Sequence, residues 1–82
     1  MCMPDRTSKK KTDPLFRFGV HLAALRKKKG WSQERLALES GLARSYLGGV
    51  ERGDRNIALL NILRLAIALE CPPSDLLAFD ED

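Results

Sequence analysis

The stretch Ser32-Gln33-Glu34-Arg35-Leu36-Ala37-Leu38-Glu39-Ser40-Gly41-Leu42-Ala43-Arg44-Ser45-Tyr46-Leu47-Gly48-Gly49-Val50-Glu51-Arg52 decides the fold. It reads as two short helices pivoting on Gly41, followed by a Gly53-Asp54-Arg55-Asn56 loop. Ser32 can cap the first helix by accepting backbone N–H bonds, with Gln33, Glu34 and Arg35 forming the first turn. Leu36 and Ala37 face inward, and Ala37 is small enough for a second helix to cross closely. Gly41 supplies the left-handed backbone that ends one helix and redirects the chain. Leu42, Leu47 and Val50 give the second helix an apolar face at helical spacing. Arg44, Ser45, Gly48 and Gly49 are expected on the opposite, exposed side. A helix held by its back and presenting Arg and Ser outward is how a helix-turn-helix offers side chains to a DNA major groove.

On the N-terminal side, Asp13-Pro14 starts a helix as N-cap and first helical position. Leu15, Phe18, Leu22 and Leu25 form its apolar stripe, and Gly30 ends it. Lys27, Lys28 and Lys29 suit the negative end of the helix dipole and can equally touch phosphate. Trp31 is read as packing on the domain edge. Beyond the loop, residues 59–69 are a nearly all-apolar helix, too greasy around its circumference to hide entirely under small neighbours. Pro72 and Pro73 break the chain, and a short last helix is expected between Pro73 and Phe79.

The 82-residue length allows one domain with a single modest core. Hydrophobic residues make up 44% and aromatics only 6%, so that core must be aliphatic and helix-packed. Charge is strongly polarised: residues 1–30 carry nine Lys or Arg against two Asp, whereas residues 57–82 carry Arg64 alone against five acids. One pole is therefore suited to a polyanion and the other is not. Residues 1–12, with Arg6, Lys9, Lys10 and Lys11, read as a disordered basic arm, either tracking DNA or simply solubilising. Residues 13–79 read as the folded domain, and residues 80–82 as an acidic tail. Cys2 and Cys71 look like cytosolic thiols, and no metal site or cofactor is expected. No apolar run approaches a membrane span, and no secretory signal opens the chain, so a cytoplasmic location is expected. His21 is the only histidine, and no nucleophile–base pair accompanies it, so an enzyme is not expected.

Residues 15–77 resemble the phage-repressor (Cro-like) helix-turn-helix family of bacterial transcription regulators. Three segments carry the resemblance: Leu22 to Ala37, Arg44 to Asn56, and Leu59 to Leu69. The phrase Arg-Ser-Tyr-Leu-Gly-Gly-Val-Glu-Arg-Gly-Asp-Arg-Asn is especially similar to the controller proteins of restriction–modification systems. The resemblance implies an all-α fold, a five-helix bundle of the lambda-repressor-like DNA-binding type. It also implies a buried ion pair between Arg26 and Glu51, and base reading at the positions of Arg44 and Ser45. The chain departs from the family at Gly48, where a polar side chain commonly reaches DNA, and at Ala43 and Ala58, which often are Ser or Thr caps.

The residues expected to work on DNA follow from position on these elements. Arg44 leads the recognition helix, where its guanidinium can bridge two acceptors of a guanine, and Ser45 beside it can reach a base or a phosphate. Tyr46 suits either phosphate or packing. Gln33 at a helix N-terminus should meet a phosphate. Lys27, Lys28, Arg52, Arg55 and Asn56 border the groove, and a close approach of the helix backbone at Gly48 and Gly49 would explain two glycines in a helix. Leu60, Leu63, Ile67, Leu76, Leu77 and Phe79 are expected to form a homodimer surface, because two-fold symmetry doubles a small site. The expected function is a sequence-specific transcription regulator, a homodimer on a palindromic operator in double-stranded DNA, with no small-molecule ligand. A prophage repressor, an antitoxin-type autoregulator and a helix-turn-helix protein-interaction adaptor are the competing readings.

Overall fold

The computed structural model describes residues 13–79 as five helices: α1 (Pro14–Lys28), α2 (Gln33–Ser40), α3 (Arg44–Arg52), α4 (Leu59–Leu69) and α5 (Pro73–Leu76). The arm over residues 1–12 and the acidic tail over residues 80–82 lie outside the described residues. Among the described residues the only regular structure is helical.

Local chemistry accounts for the boundaries. The Asp13 carboxylate accepts the Leu15 N–H at 3.0 Å, and Pro14 occupies the first turn of α1, where a missing N–H costs nothing. Ser32 Oγ accepts the Arg35 N–H at 3.1 Å and caps α2. Gly41 takes a left-handed conformation (φ 74°), which frees the chain to turn while the Leu42 N–H still reaches the Ala37 carbonyl at 3.1 Å. Ala43 and Ala58, the N-caps of α3 and α4, make no side-chain cap bond. Gly53 (φ 81°) ends α3, and the Asp54 N–H returns to the Gly49 carbonyl at 2.8 Å, tying the loop to the helix it leaves. α4 ends on Glu70, whose φ of 58° is the one positive value at a non-glycine residue among those described. α5 is a single turn, shorter than expected, with Leu77 at its C-cap.

α1 crosses α3, α2 bridges α3 and α4, and α5 closes against α4 and the side of α1. The core is aliphatic apart from Phe18: Leu22, Leu36, Ala37, Leu47, Val50, Leu65, Ala66, Leu69 and Leu76 join that ring, while Leu25 and Trp31 pack against its edge half-buried. Leu15, in the first turn of α1, is half-buried. Gly19 carries no mark in its sequence context, yet it permits the α1–α3 crossing. A Cβ placed there would lie 2.4 Å from the Glu51 carbonyl oxygen and 2.5 Å from that of Val50, so the two backbones meet where no side chain fits.

The C-terminal end corrects the expected dimer surface. Leu76 is 0% exposed and belongs to the core of its own protomer, so it cannot contact a second copy. Phe79 is half-buried, edge-on to Phe18 at a centroid separation of 6.3 Å and beside His21. His21 Nε2 bonds the Asp75 carbonyl and fastens α5 to α1. A one-turn helix can send only one of two adjacent leucines inward; Leu76 goes in and Leu77 stays out at 54% exposure.

Candidate nucleic-acid interface

α3 is seated on the core by Leu47 and Val50, both buried, and by Leu42 just before it, half-buried. Arg44 and Ser45 occupy the first turn of α3 and are exposed. Their side chains thus project from the leading end of a helix whose back is fixed, the geometry that base reading requires. Lys27 and Lys28 are exposed at the end of α1, and Arg52, Arg55 and Asn56 are exposed at the end of α3 and in its loop. Lys27, Gln33 and Arg52 line one concavity, with Ala23, Ala24, Arg26 and Glu51 in its wall. Three cationic or polar groups from three helices are thereby brought to one surface.

Beneath that surface lies the ion pair. Arg26 Nε donates to Glu51 Oε2 at 2.8 Å and Arg26 Nη2 to Oε1 at 3.0 Å, with the two side chains only 10% and 5% exposed. This two-pronged geometry matches the guanidinium fork to the carboxylate. Arg26 Nη1 also donates to the Trp31 carbonyl at 2.8 Å, so the guanidinium joins α1, α3 and the α1–α2 turn. Gln33 Nε2 donates to the same Glu51 Oε1 at 2.8 Å. The amide expected to meet a phosphate is therefore already held from below, and one of its two hydrogens is committed.

Gly48 and Gly49 do not lie open as expected: both are buried. A Cβ at Gly48 would meet Arg52 Nη1 at 3.2 Å and Gln33 Oε1 at 3.6 Å, and one at Gly49 would meet Arg55 Cγ at 2.7 Å. Long side chains fold back across the glycines and cover them. Tyr46 is half-buried and packs against the core. Its hydroxyl accepts from Asn61 Nδ2 at 3.1 Å and donates to the Asn56 carbonyl at 3.5 Å, while the Arg55 guanidinium sits 5.9 Å from its ring centroid. Arg52 Nε pairs with Asp54 at 3.0 Å.

Asn61 and Asp54 are supporting residues that the sequence reading missed. A polar residue in the otherwise apolar run Leu59 to Leu63 was the signal for Asn61; nothing in the sequence marked Asp54 as the partner of Arg52. Trp31 lies between Lys29 and Arg35, whose charges stand 4.9 and 4.6 Å from its ring centroid, consistent with a packed edge position. Burial, reinforced by the Asp75 carboxylate and opposed by the Lys29 ammonium, raises the Cys71 thiol above its ordinary pKa, which disfavours the thiolate. Among the described residues no group of metal-ligating side chains occurs, and no helix is long and apolar enough to cross a membrane.

Two helices joined by a left-handed glycine, the second pinned by its back and flanked by cations, define a helix-turn-helix DNA-binding module. Comparison with known proteins agrees. A family model described as helix-turn-helix matches residues 22–76. The control protein C.BamHI of Bacillus amyloliquefaciens is 44% identical over 63 residues, covering 76% of this chain and 78% of that protein. The crystal structure of the restriction–modification controller protein C.AhdI from Aeromonas hydrophila superposes with a TM-score of 0.75 at 60% identity, over 76% of this chain and 94% of that one. The controller protein C.Esp1396I, solved as a tetramer in complex with its natural 35 base-pair operator, superposes with a TM-score of 0.72 at 30% identity, over 78% and 84% of the two chains. The chain belongs to the helix-turn-helix family of transcription regulators and, within it, to the restriction–modification controller proteins.

Proposed function

We propose that this controller protein binds a two-fold operator as a homodimer, laying α3 of each protomer in the major groove, and so regulates its own gene and a neighbouring endonuclease gene. The observation that carries the reading is the exposed pair Arg44 and Ser45 at the leading turn of a helix locked to the core, with Lys27, Lys28, Arg52 and Arg55 exposed on its flanks. Arg44 reads sequence; the flanking cations grip the backbone, and the N–H groups that open α2 at Gln33 face the same task. Its work is in the bacterial cytoplasm, on the DNA there.

The dimer surface in this reading is the outer face of α4 with Leu77, not α5 as a whole. Leu59, Leu60 and Ile67 are 71%, 60% and 77% exposed, and Leu63 is exposed beside them. Leu59 joins the surface and Leu76 leaves it. A run of large apolar side chains on one helix face of a small domain marks a protein contact. Footprinting on DNA upstream of the gene tests the proposal. Two protected half-sites related by a two-fold axis are expected, one helical turn or a multiple apart; uniform protection without symmetry would refute it.

A further inference from the structure

Two consecutive glycines inside a nine-residue recognition helix are a cost to the helix, roughly 1 kcal/mol each against alanine, that base reading does not explain. The exposed-backbone explanation fails, because both are covered. What covers Gly49 is the stem of Arg55. An added Cβ would stand 2.7 Å from Arg55 Cγ, 3.6 Å from Nε and 3.7 Å from Cβ. The clash falls on the root of the side chain, so a rotation of its tip cannot relieve it.

The backbone carrying Arg55 cannot retreat either. Asp54 N–H is bonded to the Gly49 carbonyl at 2.8 Å and Gly53 N–H to the Val50 carbonyl at 3.1 Å. Gly53 itself abuts Phe16, where a Cβ would come within 2.9 Å of the Cα. On its other side the Arg55 guanidinium lies over Tyr46, whose hydroxyl is held by Asn61 and Asn56. Arg55 is thus laid between a bare helix backbone and a tethered ring while its residue remains exposed. Ordering a long arginine costs side-chain entropy, which a ligand would otherwise have to overcome at the moment of binding.

We infer that Gly49 is a positioning residue: its missing side chain seats the stem of Arg55 and so presets that guanidinium as a clamp for a DNA backbone phosphate. The inference rests on the DNA-binding reading above, and specifically on Arg55 as a backbone contact. It makes Gly49 serve affinity for DNA at the expense of helix stability.

The test uses the full chain carrying Gly49→Ala, Arg55→Ala or both, titrated by fluorescence anisotropy onto a mixed-sequence duplex across a salt series, with thermal melts alongside. Each phosphate clamp removed should lower the log–log salt slope by about 0.9 and the affinity roughly eightfold near ~0.1 M salt, so a dimer that loses one clamp on each protomer should lose about twice that slope. Arg55→Ala should show this loss, Gly49→Ala most of it, and the double variant no more than Arg55→Ala alone. Gly49→Ala should at the same time melt close to the wild type, because the exposed Arg55 side chain can swing off the helix as a whole about its Cα–Cβ bond while alanine favours the helix. If Arg55→Ala binds like the wild type, Arg55 holds no phosphate and both the clamp and its seat are refuted. If Arg55→Ala weakens binding while Gly49→Ala does not, the clamp stands and the seat is refuted. A Gly49→Ala protein that melts lower, or a double variant whose losses add, would assign the glycine to the fold instead.

Discussion

Glu51→Ala should destabilise the domain far more than any surface change, and its size can be worked from the contacts. Arg26 is 8% exposed and spends Nε and Nη2 on Glu51 and Nη1 on the Trp31 carbonyl. Removing the carboxylate leaves a buried cation with the Trp31 carbonyl as its one remaining partner among these, and Gln33 loses its anchor. Breaking a buried pair by removing one member costs about 3–5 kcal/mol. The surviving Trp31 carbonyl softens that penalty, while the lost Gln33 bond adds up to about 1.5 kcal/mol to it. A net loss of about 3 kcal/mol is expected, and for a domain this small that is roughly 12–24 °C in Tm. Far-UV circular dichroism melts at one fixed protein concentration measure it, since dimerisation makes Tm concentration-dependent. Gln33→Ala, which removes only the third bond, should cost about 1 kcal/mol. Replacing Arg26 and Glu51 together by apolar residues of similar volume should recover most of the loss, because the penalty comes from the stranded charge rather than from the missing attraction. A Glu51→Ala protein that melts within a few degrees of wild type, with weakened DNA binding alone, would refute this reasoning.

Gly19→Ala should cost about 1–2 kcal/mol in urea unfolding, since overpacking against the Val50 and Glu51 carbonyls outweighs the helix propensity gained; a stabilised variant would mean the crossing can open. Arg44→Ala should lose about 1–3 kcal/mol per half-site on operator and little on scrambled DNA, whereas Lys27→Ala should weaken both duplexes alike. The two should separate in a paired anisotropy titration. Leu60→Glu with Ile67→Glu should give folded monomers by sedimentation, because both side chains are exposed in the protomer; a dimer that survives both charges would place the interface elsewhere. The Cys71 thiol should react slowly with an alkylating reagent at neutral pH and faster only as pH rises past the ordinary thiol range. That is the sign expected of a pKa raised by burial, and rapid neutral labelling at Cys71 itself in a Cys2→Ser protein would contradict it.

Helix boundaries were legible wherever a single residue type dictates the backbone. Asp13-Pro14, Ser32 and Gly41 each act through a neighbour two to five residues away, so α1 and α2 start and stop where their caps stand. The 59–69 span of α4 was equally plain from its apolar run. The exposure of Arg44 and Ser45 was legible because both stand in the first turn of α3, ahead of Leu47 and Val50, the apolar positions that seat it. Periodicity failed at Gly48 and Gly49, since it reports the direction of a Cα and not the path of arginines several residues later folding back over it. It failed at Gly19 too, where the determinant is a backbone on another helix. Leu76 was misplaced because one turn of helix offers no period to read. Glu70 carries no sequence mark of its left-handed backbone; the Pro72-Pro73 pair beyond it stops the helix and leaves the turn to whichever residue stands there.

The surface assigned to the partner protomer and the surface assigned to DNA are joined by one turn of helix. Leu60 points outward from the start of α4, and its neighbour Asn61 donates to the Tyr46 hydroxyl of α3. Tyr46 in turn reaches the Asn56 carbonyl and lies under Arg55, so the loop assigned to the DNA backbone is fastened to the same turn. Further along α4, Leu65, Ala66 and Leu69 are buried in one core with Leu36 and Leu47, and α4 packs on α2, which in turn packs on α3. Packed side chains of this kind deform little, so the two surfaces move as one body. A dimer built on α4 must therefore present its two recognition helices at a separation set by this packing. Half-site spacing in the operator then becomes a property of the packing through α2 and of the Asn61–Tyr46 bond that ties α4 directly to α3, and removing that bond with Asn61→Ala should relax the spacing the protein tolerates before it changes which bases Arg44 prefers. Binding to a series of operators with altered spacers measures this, and an Asn61→Ala protein as strict about spacing as the wild type would show that the separation is set elsewhere.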